Sequence, residues 1–355
     1  MRIIITEANT KHSIALQREL CKIENVELIA NDEDSVLIAR LYGYCDLYSR
    51  DLLENVVFKE KPDFIIPVGA KSVLKCSKYF QEITFLPSFK TLDFVLNKKN
   101  LEVFNKIDGV NYPATKSINS FEDLLSFSKF RSVVVKTNNE SSKKIDPIYF
   151  NLEYVNEIDR LQLKSLIDSN IDLIVQERVT GVGRGFFCLA YNGVILEYYM
   201  HERIREFPVT GGSSTAAKSI FCEQLYKISK EIIDHLNWTG PLMIEFKYDD
   251  ENHKYFLIEI NPKFWGSLEL SYTLGFSFGK SLIQLYKYHS LDNVKKSYEI
   301  DVKFYWILDG DIVNLFKTRE FRNFFQYFDK NAHNSLFKSI LADIVKLLWT
   351  VKKLF

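Results

Sequence analysis

Residues 259–267 read Glu259-Ile260-Asn261-Pro262-Lys263-Phe264-Trp265-Gly266-Ser267. The stretch ends an apolar run, 255–260, and Pro262 stops it as a strand. Alternate side chains of a strand share a face, so Glu259 and Asn261 aim together. Upstream, Met243-Ile244-Glu245-Phe246 opens a second strand over 243–248, and Asp249-Asp250-Glu251-Asn252-His253 between the two is a hairpin loop. Antiparallel pairing brings Glu245 opposite them. Three hard oxygen-bearing side chains on one spot suit Mg²⁺, with Mn²⁺ as an alternative, because such an ion takes carboxylates together with phosphate oxygens and waters. A solvent-facing acidic patch is the plainer reading. Against it, both glutamates sit inside apolar runs, where a carboxylate is expensive without a cation nearby.

Working outward, the N-terminal part alternates strand and helix. Arg2 to Thr6, with its run of Ile, forms a short buried strand, a helix spans 13–21, a strand spans 26–30, and Phe64-Ile65-Ile66 gives another before Pro67-Val68-Gly69. This alternation predicts an open parallel α/β sheet ending near Phe89. Its first strand-to-helix loop, Glu7-Ala8-Asn9-Thr10-Lys11, has no glycine, which speaks against dinucleotide binding there. Further on, helices are expected over 99–106 and 121–128, a strand over 132–136, strands with glycine-containing turns over 173–206, and a helix over 223–236.

Composition narrows the function classes. The 355 residues carry 46 Lys plus Arg and 46 Asp plus Glu, so no basic excess points to nucleic acid. The five cysteines form no C-x-x-C pair and are read as small buried hydrophobes in a reducing compartment. With no signal-like segment and no run of about 20 apolar residues, the expected location is the cytoplasm.

The Glu259–Ser267 stretch resembles the E-x-N-P-R-x-W-G-S segment that closes the active site in ATP-grasp enzymes of the carboxylate–amine ligase type, and is similar to carbamoyl-phosphate-synthase-like members. Other fragments agree in order: Asn97-Lys98 with Gly109 and Pro113 resembles D-K…G-x-x-x-P; Val133-Val134-Val135-Lys136 resembles V-V-V-K; Gln176-Glu177-Arg178-Val179-Thr180-Gly181 resembles the adenine hinge; and His201 to Pro208, followed by Gly211-Gly212-Ser213-Ser214, resembles a segment of one subgroup. Asn237-Trp238-Thr239-Gly240-Pro241 also fits. The similarity covers residues 1–290. It implies an α/β and α+β architecture: an N-terminal open parallel α/β pre-ATP-grasp domain (1–90), an ATP-grasp domain (91–290) with a small lid (about 115–180) and a C-terminal α+β part, then a helical extension (291–355).

The resemblance also assigns roles. Lys98, Lys136, Gln176, Glu177 and Val179 would bind ATP, and Glu245, Glu259 and Asn261 would hold Mg²⁺. Arg203, Arg205 and Lys263 would serve the transferring phosphoryl group or an acyl phosphate. On residue chemistry alone, the lysines are phosphate-neutralising charges or plain surface lysines. If their segment is extended, Arg203 and Arg205 share a face and grip phosphate bidentately, or else balance Glu202 and Glu206. Gly211-Gly212-Ser213-Ser214-Thr215 is an oxyanion cradle or a mobile loop, and Gly181, Gly183 and Gly185 mark a turn. Asn97 stands where the family has Asp, Lys263 where it has Arg, and the loop 137–143 lacks the family's glycines.

The implied reaction is ATP-dependent joining of a small-molecule carboxylate to an amine through an acyl phosphate. The alternatives are an ATP-grasp phosphotransferase and a non-catalytic nucleotide-binding scaffold. In the tail, Phe337, Leu341, Ile344, Leu348, Val351 and Phe355 recur at helical spacing beside Lys338, Lys346, Lys352 and Lys353. Packing on its own domain or on a second copy is the default for such a face. Peripheral contact with a membrane, Trp349 at the headgroups, is the alternative.

Overall fold

Ile3, Ile4 and Ile5 are fully buried, and their alternation sorts them to two faces. The computed structural model describes residues 1–139, 145–209, 211–292, 294–295, 297–329, 332–335 and 342–348. In it, β1 (Arg2–Ile5), β2 (Glu27–Asn31), β3 (Leu47–Ser49) and β4 (Phe64–Ile66) form a parallel sheet in the order β3-β2-β1-β4. Ile3 and Ile5 pack with Leu16 and Leu20 of the helix Lys11–Leu20. Ile4 packs on the other face with Leu53, Val56 and Cys76. Coverage on both faces explains why the strands are uninterrupted apolar runs. The strand order turns back at β1, so the crevice beyond its carboxyl end lies between the loops after β1 and β4.

After β5 (Val110–Asn111), the chain builds a separate antiparallel sheet from β6 (Thr115–Ser117), β7 (Ser132–Thr137), β8 (Ile148–Asn151) and β9 (Leu173–Glu177), ordered β6-β9-β7-β8. Two helices, Phe121–Leu125 and Glu157–Asp168, cover it, each opened by a capping box: Ser120 with Asp123, and Asn156 with Asp159. Val133, Val135, Phe150, Leu163 and Val175 make its small core. Its two ends are tied together, since the Glu177 N–H donates to the Ala114 carbonyl at 2.8 Å.

The remaining strands are β10 (Val182–Tyr191), β11 (Val194–Phe207), β12 (Ser213–Ile220), β13 (Gly240–Asp249), β14 (Lys254–Asn261), β15 (Lys303–Tyr305) and β16 (Ala332–Asn334). They join β5 in an eight-stranded sheet, β16-β15-β12-β11-β10-β13-β14-β5. Phe186, Cys188, Met200 and Ile244 face the helix Glu223–His235 and Trp238. Phe187, Leu189 and Tyr199 face Trp265 and the N-terminal unit. Burial on both faces is what the long apolar content of β10 and β13 requires.

Two regions differ from the sequence expectation. The helix over 99–106 is a 3₁₀ segment, Lys98–Lys106, tied by the Lys98 N–H to the Asn138 carbonyl at 3.1 Å. The extension 291–355 is not only helical: β15 and β16 enlarge the main sheet, joined by the helix Asp311–Thr318 and the 3₁₀ segment Phe321–Phe328. Of the tail stripe, Phe337, Leu341, Trp349, Val351 and Phe355 lie outside the described residues. The described turn 342–348 is helical, with Ala342 buried, Ile344, Leu347 and Leu348 exposed, and Lys346 donating to Asp309 at 3.1 Å. No helix among the described residues is long and apolar enough to cross a membrane.

Candidate functional site

The hairpin β13–β14 sets Glu245 directly across from Glu259, and Met243 across from Asn261. Cross-strand partners share a face, so both carboxylates and the amide open into one cavity of about 750 Å³. Its walls come from all three units. The lid contributes Val134, Lys136, Tyr149, Gln176 and Glu177, with Arg178 and Val179 just past it. The main sheet contributes Arg203, Glu245, Glu259, Asn261 and Lys263, and Lys98 lies where lid and body meet. The N-terminal unit adds Thr10, Lys11 and His12. Of the eleven residues singled out above, ten line this cavity; Arg205 does not.

Arg203 crosses the floor of the site. Its guanidinium donates to Glu245 at 2.6 Å, Glu206 at 3.1 Å and the Gly212 carbonyl at 3.0 Å. Burial alone would weaken its charge, but the two carboxylates overcome this and raise its pKa above the usual arginine range. Gly183 makes the space, because a Cβ there would stand 2.7 Å from Arg203 Cδ. Gly183 lies inside β10 rather than in a turn, and its lack of a side chain is a packing requirement.

Arg205 corrects the shared-face reading. On β11, Arg203 pairs with Ala217 of β12 and Arg205 with Ala216, so Ile204 is an extra residue in a bulge. A bulge turns the following side chain to the opposite face. Arg205 therefore leaves the cavity and forms a two-pronged ion pair with Asp311, at 2.8 Å for each prong. Gln326 accepts a third bond at 2.8 Å, and the Tyr305 ring lies 5.3 Å away.

Gln176 is buried, its amide donating to Thr115 Oγ1 at 2.8 Å and to Tyr112 Oη at 3.2 Å. Its side chain holds the lid neck, so its contribution to a ligand is positional. Val134 and Ile258 supply apolar wall beside the hinge.

Sequence reasoning passed over Lys11. It sits in the first turn of the helix Lys11–Leu20, where the macrodipole disfavours a cation, and that misplacement was the available signal. Its Nζ donates to the Ser214 carbonyl at 3.0 Å and lies 4.8 Å from the centre of the Trp306 ring. No carboxylate is within salt-bridge distance among the described residues. Burial lowers its pKa to about 8, with Lys346 and Arg203 adding to the fall and Asp309 and Glu269 opposing it. Between about pH 8 and 10.5 the unfolded chain thus holds a proton that the folded chain has released, so this group's contribution to stability rises with pH. Lys11→Met is expected to unfold a few degrees higher than wild type at pH 7, with the gap closing towards pH 10. Unfolding temperatures across that range check it; a gap independent of pH would refute it.

No family model matches the chain, and no curated protein sequence matches it significantly. Solved structures do match its backbone. N5-carboxyaminoimidazole synthetase from Staphylococcus aureus superposes with a TM-score of 0.67 at 14% identity, covering 91% of this chain and 86% of that one. L-amino acid ligase from Bacillus licheniformis gives 0.60 at 14% identity, covering 80% and 73%. Biotin carboxylase from Campylobacter jejuni, in its β-γ-ATP complex, gives 0.65 at 13% identity, covering 85% and 74%. A parallel α/β unit, an inserted antiparallel lid and a mixed main sheet in this connectivity are the ATP-grasp fold.

Proposed function

We propose that this protein is an ATP-dependent ligase that activates a small carboxylate as an acyl phosphate and passes it to an amine. One observation carries the reading: seven cations and five carboxylates line a single cavity between lid and body, in an order matching the nucleotide-binding motifs. The neighbours in structure, an L-amino acid ligase, an N5-carboxyaminoimidazole synthetase and a biotin carboxylase, support the same general reaction class.

The donor set fits a hard divalent cation. Among the described residues no three His, Cys, Asp or Glu side chains cluster as a metal site. Two facing carboxylates plus the Asn261 amide instead suit an ion that keeps waters and takes its remaining ligands from phosphate oxygens. Bound Mg²⁺ would supply charge neutralisation for phosphoryl transfer. Lys136 and Lys98 would hold the nucleotide phosphates as point charges. Arg203, fixed by Glu206 and Glu245, would present guanidinium N–H groups to the acyl phosphate, and Lys263 would add a second charge. The base would rest beside Val179, between Val134 and Ile258. Closing the lid about its neck would keep water from the intermediate.

The test is ADP release in the presence of Mg²⁺, with carboxylates and amines varied independently. Release that needs both substrates supports the ligase. Release with the carboxylate alone and a stable phosphorylated product would favour a phosphotransferase, and ATP binding without ADP formation would favour a scaffold. Within the site, Lys136→Ala should weaken ATP binding at least tenfold. Lys99→Ala should change it less than twofold, because Lys99 Nζ is turned to Ser117 at 2.8 Å. Equal losses measured by titration calorimetry would overturn the assignment of Lys136.

A further inference from the structure

The C-terminal extension displays an aromatic ridge that the nucleotide site does not use. Phe321–Phe328 is a 3₁₀ segment, in which side chains three apart stand in line. One row, with Phe324 and Tyr327, turns inward: Tyr327 donates to Asp311 at 2.8 Å, and its ring meets Tyr305 edge to face at 5.2 Å. Gln326 is held by Arg205 at 2.8 Å. The outer row is Arg322, Phe325 and Phe328, and its two phenylalanines are 78% and 85% exposed. Phe316 and Phe321, edge to face at 5.4 Å, extend the apolar surface and are exposed as well. Rings this open stand proud of the surface instead of lining a groove. The rim is basic, although the chain as a whole is neutral. Lys317, Arg319 and Arg322 are exposed, and among the described residues none has a carboxylate within salt-bridge distance. Asp329 is answered by Lys303 at 3.1 Å, and Glu320 accepts from the Asn323 amide at 2.7 Å. An exposed apolar surface with a polar rim marks an interaction site.

We propose that this ridge is a docking surface for a lipid bilayer bearing anionic headgroups. Phe325 and Phe328 enter the boundary between headgroups and acyl chains, and Lys317, Arg319 and Arg322 face the lipid phosphates. Two features favour a bilayer over a second copy of the chain. Protruding rings need a medium that yields around them, and a two-fold contact would set the basic rim against itself. Asp311 and Arg205 tie the ridge rigidly to β11. Lys317, at its near end, lies 5.3 Å over the ring of Phe207, a residue of the cavity wall. The ridge therefore adjoins the rim of the nucleotide cavity. The inference stands independently of the ligase reading.

The test is flotation of the full chain with vesicles of phosphatidylcholine alone and of phosphatidylcholine mixed equally with phosphatidylglycerol. Binding to the mixed vesicles should be at least tenfold stronger and should weaken as salt is raised. Phe325→Ser combined with Phe328→Ser should lower it at least tenfold with the unfolding temperature unchanged, since neither ring is buried in the fold. Arg319→Gln combined with Arg322→Gln should remove the preference for phosphatidylglycerol. The inference is overturned if neither vesicle is bound, or if the serine double variant binds as wild type does. Dimers in vesicle-free solution that the same double variant dissociates would assign the ridge to a second copy and overturn the bilayer reading as well.

Discussion

Glu259→Gln is expected to leave the unfolding temperature within a few degrees of wild type and to lower ADP release about a thousandfold at saturating Mg²⁺. The substitution keeps the size and one carbonyl oxygen of the side chain, so the β13–β14 pairing has no reason to change. What it removes is one of two negative charges facing the proposed metal position. Glu245 does not substitute, because its carboxylate already answers Arg203 at 2.6 Å. A thousandfold loss corresponds to about 4 kcal/mol of transition-state stabilisation. Such a value is reasonable for a charge that orients a metal–phosphate complex and unreasonable for a surface acid. Near-wild-type release by the variant would show that Glu259 holds no metal.

The largest stability effect is expected at Asp311. Its carboxylate is fully buried and accepts from both prongs of Arg205 at 2.8 Å, from Thr215 at 3.0 Å and from Tyr327 at 2.8 Å. Asp311→Asn leaves a buried guanidinium without its counter-charge, a loss of roughly 3–5 kcal/mol, or roughly 10 °C in unfolding temperature. The double variant Arg205→Met with Asp311→Leu should recover most of it, since removing both charges also removes their desolvation cost. Recovery should stay incomplete, because Thr215 and Tyr327 still lack their acceptor, at about 1 kcal/mol each. Denaturant unfolding of the three variants measures this. A double variant no better than Asp311→Asn would show that the pair is not the source of the loss.

The two sites differ in how far the sequence announced them. The Glu245–Glu259–Asn261 set was legible because a hairpin places its members by local pairing, and period-2 alternation fixes the face. The valine strand ending in Lys136 was legible for the same reason. Arg205 was misplaced because alternation fails at a bulge, and nothing in Arg203-Ile204-Arg205 marks one. Apart from its unfavourable place in a helix's first turn, nothing marked Lys11 as a site residue, because its partners lie far along the chain: Ser214 is 203 residues away. A pattern read over ten residues cannot see a contact of that span. The extension past residue 291 was read as helical because its apolar spacing in the tail is helical. The short strands β15 and β16 exist through pairing with the edge of the main sheet, at β12, rather than through any strand pattern of their own.

The position of Trp306 and Asp311 has a consequence for how the protein is made. A ribosome delivers Lys11 first and the residues that cover it nearly three hundred positions later. Until then the first parallel unit carries a lysine with no roof, and β11 carries Arg205 with no counter-ion. A chain terminated prematurely before residue 306 keeps both defects permanently, although every described residue lining the cavity is already present. Such a fragment would be marked for proteolysis by its instability rather than surviving as a competitor for ATP. The closing segment therefore makes integrity of the polypeptide a condition for a durable site.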